Sequence, residues 1–334
     1  MYYVASNPKS MYIAASTVDD LMNDVLKMLL SSPFNIKATR GKISEATGIL
    51  LCLENPLARL SRSETKGTPF SALGELLWYL SKDNDLEFIK YYIPEYKKES
   101  EDEKTVYGGY GPRLFNSQGK YDQIANIIKL LKSKSSSRRA VIQLFEARDI
   151  DESRCEIPCT CSLQFIIRDN LLNMITYMRS NDAYIGLPHD VFAFTMLQEI
   201  IARSVGVEIG TYKHCVGSLH LYAKNEEAAT QYLAEGYQST KKPMPPMPPD
   251  DPWSCIKVLL DVECKIRNGK DVKISDLALH AYWLDLARLL QIHSLAKKYK
   301  HAEIQKMQEE FSNRDYDSYI EKRVVKSQKM KRKK

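Results

Sequence analysis

The chain has 334 residues, 44% hydrophobic and 27% charged, a composition that allows a sizeable core and excludes a fibrous or wholly disordered protein. Much of its net charge of +6 lies in the run from Lys326 to Lys334, which is typical of a solvated tail, so we expect no nucleic-acid partner. The N-terminal stretch lacks a signal-peptide pattern and Glu199 interrupts a long apolar run, so we expect a soluble cytoplasmic protein without membrane segments.

The first third of the chain shows two helical patterns and one strand pattern. Residues Thr17–Leu30 carry apolar side chains at helical spacing, and the short apolar run Ile49–Leu53 predicts a buried strand after a loop that contains Arg40. Phe70–Leu80 is an apolar helix with a single acid, Glu75. Because carboxylates are rarely buried without a partner, the residue types alone favour a solvated position for this acid.

The middle of the chain alternates glycine-rich, helical and strand patterns. Val106–Arg113 is a glycine-rich turn that lacks the Lys-Ser/Thr ending of a phosphate-binding loop. Tyr121–Lys132 predicts an amphipathic helix, and Arg138 and Arg139 precede a predicted strand at Ala140–Phe145.

The next hundred residues predict a hairpin, a helix and a strand. Leu163–Ile167 and Leu171–Tyr177 flank a short polar turn, which is the pattern of a β-hairpin. Val191–Val205 has helical length and periodicity, and Tyr212–Tyr222 follows as a further strand.

A proline-rich segment, Lys242–Pro252, marks the clearest boundary, because prolines exclude both helix and central strand. We therefore divide the chain into a catalytic domain (1–242), a helical C-terminal extension (253–322) and a basic tail (323–334) that we expect to be disordered.

Three of the seven cysteines, Cys155, Cys159 and Cys161, crowd into one segment. Mutual pairing there would be strained, which fits reduced thiols better than a disulfide framework. Their spacing also lacks the paired C-x2-C pattern of zinc sites, so we expect no metal. From the residues alone, Cys159 is either a small buried hydrophobic residue or a nucleophile.

Several motifs resemble those of the thymidylate synthase family. They are Ser137-Arg138-Arg139, Pro158-Cys159 with Gln164 five residues on, Arg179-Ser180-x-Asp182, Gly186-Leu-Pro188, His220-x-Tyr222, and Glu75 within Glu-Leu-Leu-Trp. They occur in the family's order and spacing, over roughly residues 40–225.

The resemblance implies a mixed α/β (α+β) fold, with sheets packed back to back in a homodimer. It also implies transfer of a one-carbon unit from 5,10-methylenetetrahydrofolate, a co-substrate, to C5 of a pyrimidine nucleoside monophosphate. C5 of a pyrimidine is a poor nucleophile, and a thiolate added at C6 converts the base into an enamine. By resemblance Cys159 supplies that thiolate, and a nearby arginine is expected to lower its pKa.

The resemblance also assigns the other site residues. The phosphate clamp comprises Arg179 and Ser180, with Arg40 from the early loop and Arg138 and Arg139 from the second subunit, since guanidinium groups bind phosphate bidentately. Gln164, His220 and Tyr222 bind the nucleotide, the last two through the sugar hydroxyls. Asp182 contributes to the nucleotide and folate sites, and Gly186 contributes to the folate site. Glu75 handles water and protons around the base.

Asp190 is the most informative departure from the family, whose synthases have an asparagine there that binds the uracil edge. Cytosine presents an acceptor at N3 and an amino donor at N4, and a protonated carboxyl complements both. A proton delivered to N3 would also stabilise the enamine. The alternative is that Asp190 only caps the helix that begins at Val191.

Other departures concern the handling of water. Between Leu86 and Val106 the synthases place tryptophans beside the folate, whereas this chain has the smaller aromatics Phe88, Tyr91, Tyr92 and Tyr96. Thr160 replaces the histidine that follows the nucleophile in the synthases. The family's short C-terminal closing segment has no evident counterpart. A less shielded methylene intermediate would react with water, which gives a 5-hydroxymethyl product.

The sequence therefore predicts a cytidylate (dCMP or CMP) 5-hydroxymethylase. A methylating synthase that acts on dUMP or dCMP is the first alternative. A catalytically idle nucleotide-binding protein is the second. Ribose and deoxyribose are not distinguished by these residues.

Overall fold

The computed structural model describes residues 11–63, 69–151, 154, 156–237 and 243–331. Within these ranges the chain forms a seven-stranded mixed sheet and eleven α-helices, which confirms the predicted α/β class. The strands are β1 (Tyr12–Ala15), β2 (Ile36–Ala38), β3 (Gly41–Leu53), β4 (Val141–Gln143), β5 (Thr160–Arg168), β6 (Leu171–Asp182) and β7 (Glu208–Tyr222).

The sheet has the order β1-β3-β7-β6-β5-β4, with β2 paired to β3. The predicted hairpin is confirmed: β5 and β6 are antiparallel and meet at Asp169 and Asn170, which have φ values of 51° and 59°. Left-handed residues at both turn positions match the twist of the flanking strands, and Asp and Asn tolerate them. β6 and β7 are parallel and are connected through a long helix.

Seven α-helices lie within the described residues up to 237. They are α1 (Val18–Leu30), α2 (Pro69–Leu80), α3 (Leu86–Tyr92), α4 (Tyr110–Phe115), α5 (Gln123–Ser133), α6 (Gly186–Val205) and α7 (Glu226–Ala234), with a 3₁₀ helix at Pro94–Glu99. The helices predicted at Thr17–Leu30, Phe70–Leu80 and Tyr121–Lys132 are confirmed as α1, α2 and α5. The helix predicted from Val191 begins earlier, at Gly186.

The helices after the proline-rich segment are α8 (Trp253–Arg267), α9 (Ala281–Lys297), α10 (His301–Gln308) and α11 (Asp317–Lys331). Their apolar faces join the buried cluster that contains α2 and α6. The ring centroids of Phe70 in α2 and His293 in α9 lie 6.4 Å apart. Residues 323–331, expected to form a disordered tail, instead continue α11; residues 332–334 lie outside the described residues.

Among the described residues, no helix has the length and apolar character needed to cross a bilayer.

Candidate active site

Cys159 lies immediately before β5, half-buried beside the side chain of Arg179 in β6. Nη2 of Arg179 is 3.6 Å from the sulfur, and its guanidinium donates to the carbonyls of Pro158 at 3.0 Å and Ile157 at 3.2 Å. The backbone N–H of Arg179 donates to the carbonyl of Cys159 at 2.8 Å. The thiol and the guanidinium are therefore held together by neighbouring strands.

Burial raises the pKa of Cys159 to about 11, because the favourable charge of Arg179 does not offset desolvation and the nearby acids Glu156 and Asp190. The net pKa of Cys159 therefore lies above, not below, its ordinary value. Arg179 acts in the expected direction, but desolvation is the larger effect. The thiol is protonated at neutral pH, so loss of its proton belongs to the reaction itself.

Asp190 lies near the start of α6 and is half-buried. Because the helix begins at Gly186, the alternative in which Asp190 only caps a helix at Val191 is wrong. Burial raises the pKa of Asp190 well above its ordinary value, and the negative charges of Glu75 and Asp182 add to this effect. The carboxyl is therefore held towards its neutral form.

A chain of buried side chains fixes the orientation of this acid. Burial lowers the pKa of His214 to about 3, so its imidazole is neutral and carries one proton. Its Nδ1 is 2.7 Å from the hydroxyl of Tyr212, and its Nε2 is 3.0 Å from Oδ1 of Asn181. Nδ2 of Asn181 in turn donates to Oδ2 of Asp190 at 2.7 Å.

Only one assignment of donors and acceptors satisfies this series of hydrogen bonds. Because Oδ1 of Asn181 can only accept, Nε2 of His214 carries the proton and Nδ1 accepts from Tyr212. Oδ2 of Asp190 accepts from the amide, which places the proton of the neutral acid on Oδ1. Sequence reasoning missed Asn181, His214 and Tyr212; His214 and Tyr212 fall within an ordinary strand pattern.

Glu75, in α2, is also buried, which corrects the solvated position favoured by residue type alone. Its Oε1 accepts from the hydroxyl of Tyr96 at 2.7 Å, and its Oε2 lies 3.2 Å from Nδ1 of His189. Burial favours the neutral acid, but hydrogen bonds and charge from His189, with Tyr96 and Tyr79, outweigh burial and lower the pKa of Glu75.

Two neighbouring acids therefore have opposite protonation states: Glu75 is held as a carboxylate and Asp190 as a neutral acid. Environments that separate two pKa values in this way are typical of a pair that divides acid and base roles.

Aromatic rings enclose the pair. Tyr96 lies edge-on to Trp78, with ring centroids 5.4 Å apart, and the hydroxyl of Tyr110 donates to Oγ1 of Thr160 at 2.9 Å. Of the four aromatics singled out from the sequence, Tyr96 contacts Glu75. Tyr92 instead donates to Glu263 of α8 at 2.9 Å, towards the C-terminal helices.

Arg40 extends from the turn between β2 and β3 towards two acids. Its Nη2 lies 2.7 Å from Glu99 and 3.4 Å from Glu156. The pKa of Glu156 is raised to about 7 by burial and by its hydrogen bond with Glu99. Two acids thus hold this guanidinium.

Arg138 and Arg139 are exposed before β4. The side chain of Gln164 donates to the carbonyl of Arg138 at 3.1 Å, and it lies between the buried side chains Leu163 and Phe165. Alternation along the strand places Gln164 on the face of the sheet opposite the core. Within the described part of one chain, no hydrogen bond or ion pair joins these three residues to Cys159.

The remaining predicted residues gather where β6 meets α6. Asp182 is paired with His220 in the parallel register, and its Oδ1 accepts from the backbone N–H groups of Tyr184 and Ile185. A Cβ at Gly186 would lie 2.9 Å from Nδ2 of Asn181, so a side chain there would displace the amide that orients Asp190.

Ser180 and Tyr222 complete this end of the sheet. Ser180 is half-buried and paired with Ser218 in β7, and the rings of His220 and Tyr222 meet edge-on at 5.0 Å. Cys155, which belongs to the excluded zinc pattern, lies outside the described residues.

A family model described as thymidylate synthase matches residues 58–286 of this chain. The match covers more than half of the chain. It includes Glu75, Cys159 and Asp190, begins after Arg40, and continues past the proline-rich segment into α9.

Proposed function

Because the chain belongs to the thymidylate synthase family, whose members transfer a one-carbon unit to C5 of a pyrimidine nucleotide, we propose that its substrate is a cytidine nucleotide. We further propose that it forms a 5-hydroxymethyl product, in the manner of the cytidylate hydroxymethylase branch. The single observation on which this rests is Asp190, a half-buried carboxyl whose pKa is raised well above its ordinary value and which Asn181 aligns.

The hydrogen-bond pattern of the acid decides between the two bases. With its proton on Oδ1, Asp190 donates to N3 of cytosine, and Oδ2 keeps a lone pair for the amino group at N4. Uracil carries N–H at position 3 and a carbonyl at position 4, so its donor would face a donor and its acceptor an acceptor. Each mispaired buried group costs about 1–3 kcal/mol, which favours cytosine.

The proposed reaction begins when the sulfur of Cys159 loses its proton and bonds to C6. The N3 of cytosine takes the proton of Asp190, and C5 becomes nucleophilic. C5 then bonds to the methylene carbon of methylenetetrahydrofolate as one of the two carbon–nitrogen bonds of that carbon breaks; the second breaks when tetrahydrofolate leaves. Loss of the C5 proton and of tetrahydrofolate leaves an exocyclic methylene.

Addition of water completes the proposed reaction. The water oxygen bonds to the exocyclic methylene and loses a proton. The carbon–sulfur bond then breaks, the sulfur takes up a proton to return the thiol, and the proton on N3 returns to Asp190. The balance is one nucleotide, one methylenetetrahydrofolate and one water in, and hydroxymethyl nucleotide and tetrahydrofolate out. Methylation would instead oxidise the folate to dihydrofolate. The carboxylate of Glu75, with a hydrogen-bond donor on each oxygen, is suited to receive protons from this water.

The other residues divide between phosphate, sugar and folate. In this proposal Arg179, Ser180 and Arg40 bind the phosphate, and His220 and Tyr222 bind the sugar. Asp182 uses Oδ1 for two backbone donors, which fixes its side chain, while Oδ2 takes part in neither bond. We assign Oδ2 and the close backbone at Gly186 to the folate.

We also propose a homodimer in which Arg138 and Arg139 reach the phosphate of the other subunit. The sheet supports this arrangement, because Tyr177 of β6 and Val141 of β4 are exposed on a single chain, at 41% and 43%. Gln164 lies on the same face and fixes the backbone of Arg138. Exposed apolar side chains on a sheet face are typical of an interface.

In the domain division we propose, residues 1–242 form the catalytic domain and 253–322 a helical extension that supports it. This role is supported by the contact of α9 with α2, the helix that carries Glu75, and by the hydrogen bond between Tyr92 of α3 and Glu263 of α8.

The test is product analysis after incubation of the protein with methylenetetrahydrofolate and dCMP, CMP or dUMP. A cytidine nucleotide that gains CH2O, with tetrahydrofolate released, is the expected result. A gain of CH2 with dihydrofolate would identify the methylating alternative. Nucleotide binding without any product would identify the non-catalytic alternative.

A further inference from the structure

His189 precedes Asp190 in α6, and the assigned roles leave it without a function. Its Nδ1 lies 3.2 Å from Oε2 of Glu75, and its Nε2 lies 3.2 Å from Oγ of Ser71. Ser71 and Glu75 are four residues apart in α2, so the imidazole bridges two positions on one face of that helix. The ring is mostly buried, at 18% exposed.

We infer that His189 is a positioning residue that aligns the carboxylate of Glu75 towards the base and the attacking water. The inference rests on the proposed function, in which Glu75 handles the protons of the one-carbon transfer.

The surroundings of Glu75 show why this contact matters. The groups that face it are Tyr79 from α2, Tyr96 from the 3₁₀ helix, and His189 and Asp190 from α6. Behind them, the ring of Tyr110 in α4 packs against Tyr79 at a tilt of 39°, with ring centroids 4.9 Å apart. The tyrosines donate hydrogen bonds but carry no charge. A negative charge on Asp190 would disfavour the carboxylate form of Glu75. Among these groups, His189 alone can bring positive charge to the carboxylate.

The contact also orients the side chain. One oxygen of Glu75 is held by Tyr96 and the other by His189, from two different elements, so neither rotation nor sliding of the carboxylate is free. Each oxygen keeps a further lone pair for a ligand. Removing His189 leaves Tyr96 and Tyr79 as the hydrogen-bond donors to Glu75 and takes away the donor beside Oε2.

The tautomer of His189 follows from its partners. The ionised carboxylate of Glu75 can only accept, so Nδ1 carries a proton. In the neutral ring Nε2 then accepts from the hydroxyl of Ser71.

The first experiment compares His189→Phe with His189→Asn by their pH–rate profiles on dCMP. Asparagine places an amide donor near Nδ1 and phenylalanine does not. Because loss of the donor raises the pKa of Glu75, the acidic limb of kcat should move to higher pH in His189→Phe, with a fall in kcat of roughly ten-fold or more. KM for dCMP should change little, and His189→Asn should recover a large part of kcat.

Two outcomes would overturn the inference. One is an acidic limb in His189→Phe that superimposes on that of the wild type. The other is equal loss in both variants, because a purely steric role would not distinguish an amide from a phenyl ring.

A second measurement does not depend on turnover. In protein labelled with ¹⁵N-histidine, the six imidazoles give separate ring signals, and His189→Asn identifies the one from His189. We expect a proton on Nδ1, and a proton on Nε2 alone would refute the inference. If the wild type makes no product from any nucleotide, the proposed function fails while the Nδ1 signal still reports on the contact.

Discussion

The neutral state of Asp190 has a consequence for stability that Asp190→Asn can reveal. The folded chain raises the pKa of this acid well above its ordinary value, so folded protein binds a proton that unfolded protein releases above about pH 4. When the folded state binds more protons, the free energy of unfolding falls as pH rises. Asparagine cannot ionise, so the variant loses this penalty, while its side-chain oxygen still accepts from Asn181.

The magnitude follows from proton linkage. Between the unfolded and folded pKa values, the difference in stability between variant and wild type changes by about 1.4 kcal/mol per pH unit. The advantage of Asp190→Asn over wild type should therefore grow as the pH rises from about pH 5, and it stops growing only where the folded acid itself ionises. Both proteins share every other titrating group, such as Glu156. The contributions of those groups to the pH dependence of the free energy of unfolding therefore cancel in the difference.

The assay is urea unfolding of both proteins across this pH range, at one protein concentration because a dimer would make stability depend on it. Asp271→Asn, at an exposed position after α8, controls for the loss of one carboxyl. A difference between Asp190→Asn and wild type that stays constant with pH would refute the neutral acid.

Two further predictions concern the phosphate. Glu99→Gln should strengthen dCMP binding in calorimetry by up to about five-fold, because an exposed ion pair such as Glu99–Arg40 contributes at most about 1 kcal/mol; unchanged or weaker binding would contradict the idea that Glu99 competes with phosphate. In mixed dimers, Cys159→Ala subunits combined with Arg138→Ala/Arg139→Ala subunits should recover about one quarter of wild-type activity, since random pairing makes one intact site in half of the dimers. Activity no greater than that of the separate variants would exclude a shared site.

Local signals predicted much of the fold. The hairpin was readable because Asp169 and Asn170 separate two alternating apolar runs, and both residues tolerate the left-handed conformation that the turn requires. The start of α6 was missed because Gly186 and Pro188 are usually helix breakers. Proline is tolerated in a first helical turn, where its missing N–H would have no partner.

Contacts between residues that lie far apart in the sequence could not be predicted from it. Glu75 was expected in solvent because the donors that make its burial possible, Tyr96 and His189, come from separate elements. The alignment of Asp190 likewise depends on His214, which is 33 positions from Asn181 along the chain. The raised pKa of Cys159 was not predicted, because the sequence reveals a nearby arginine but not the extent of desolvation.

The central claim, that Asp190 selects cytosine, is tested most directly by the ratio of kcat/KM on dCMP to kcat/KM on dUMP in wild type and Asp190→Asn. Asparagine restores an amide that can accept from N3–H and donate to O4, so the ratio should fall by a factor of roughly 100 or more. Retention of the wild-type preference for dCMP in Asp190→Asn would show that another group selects the base.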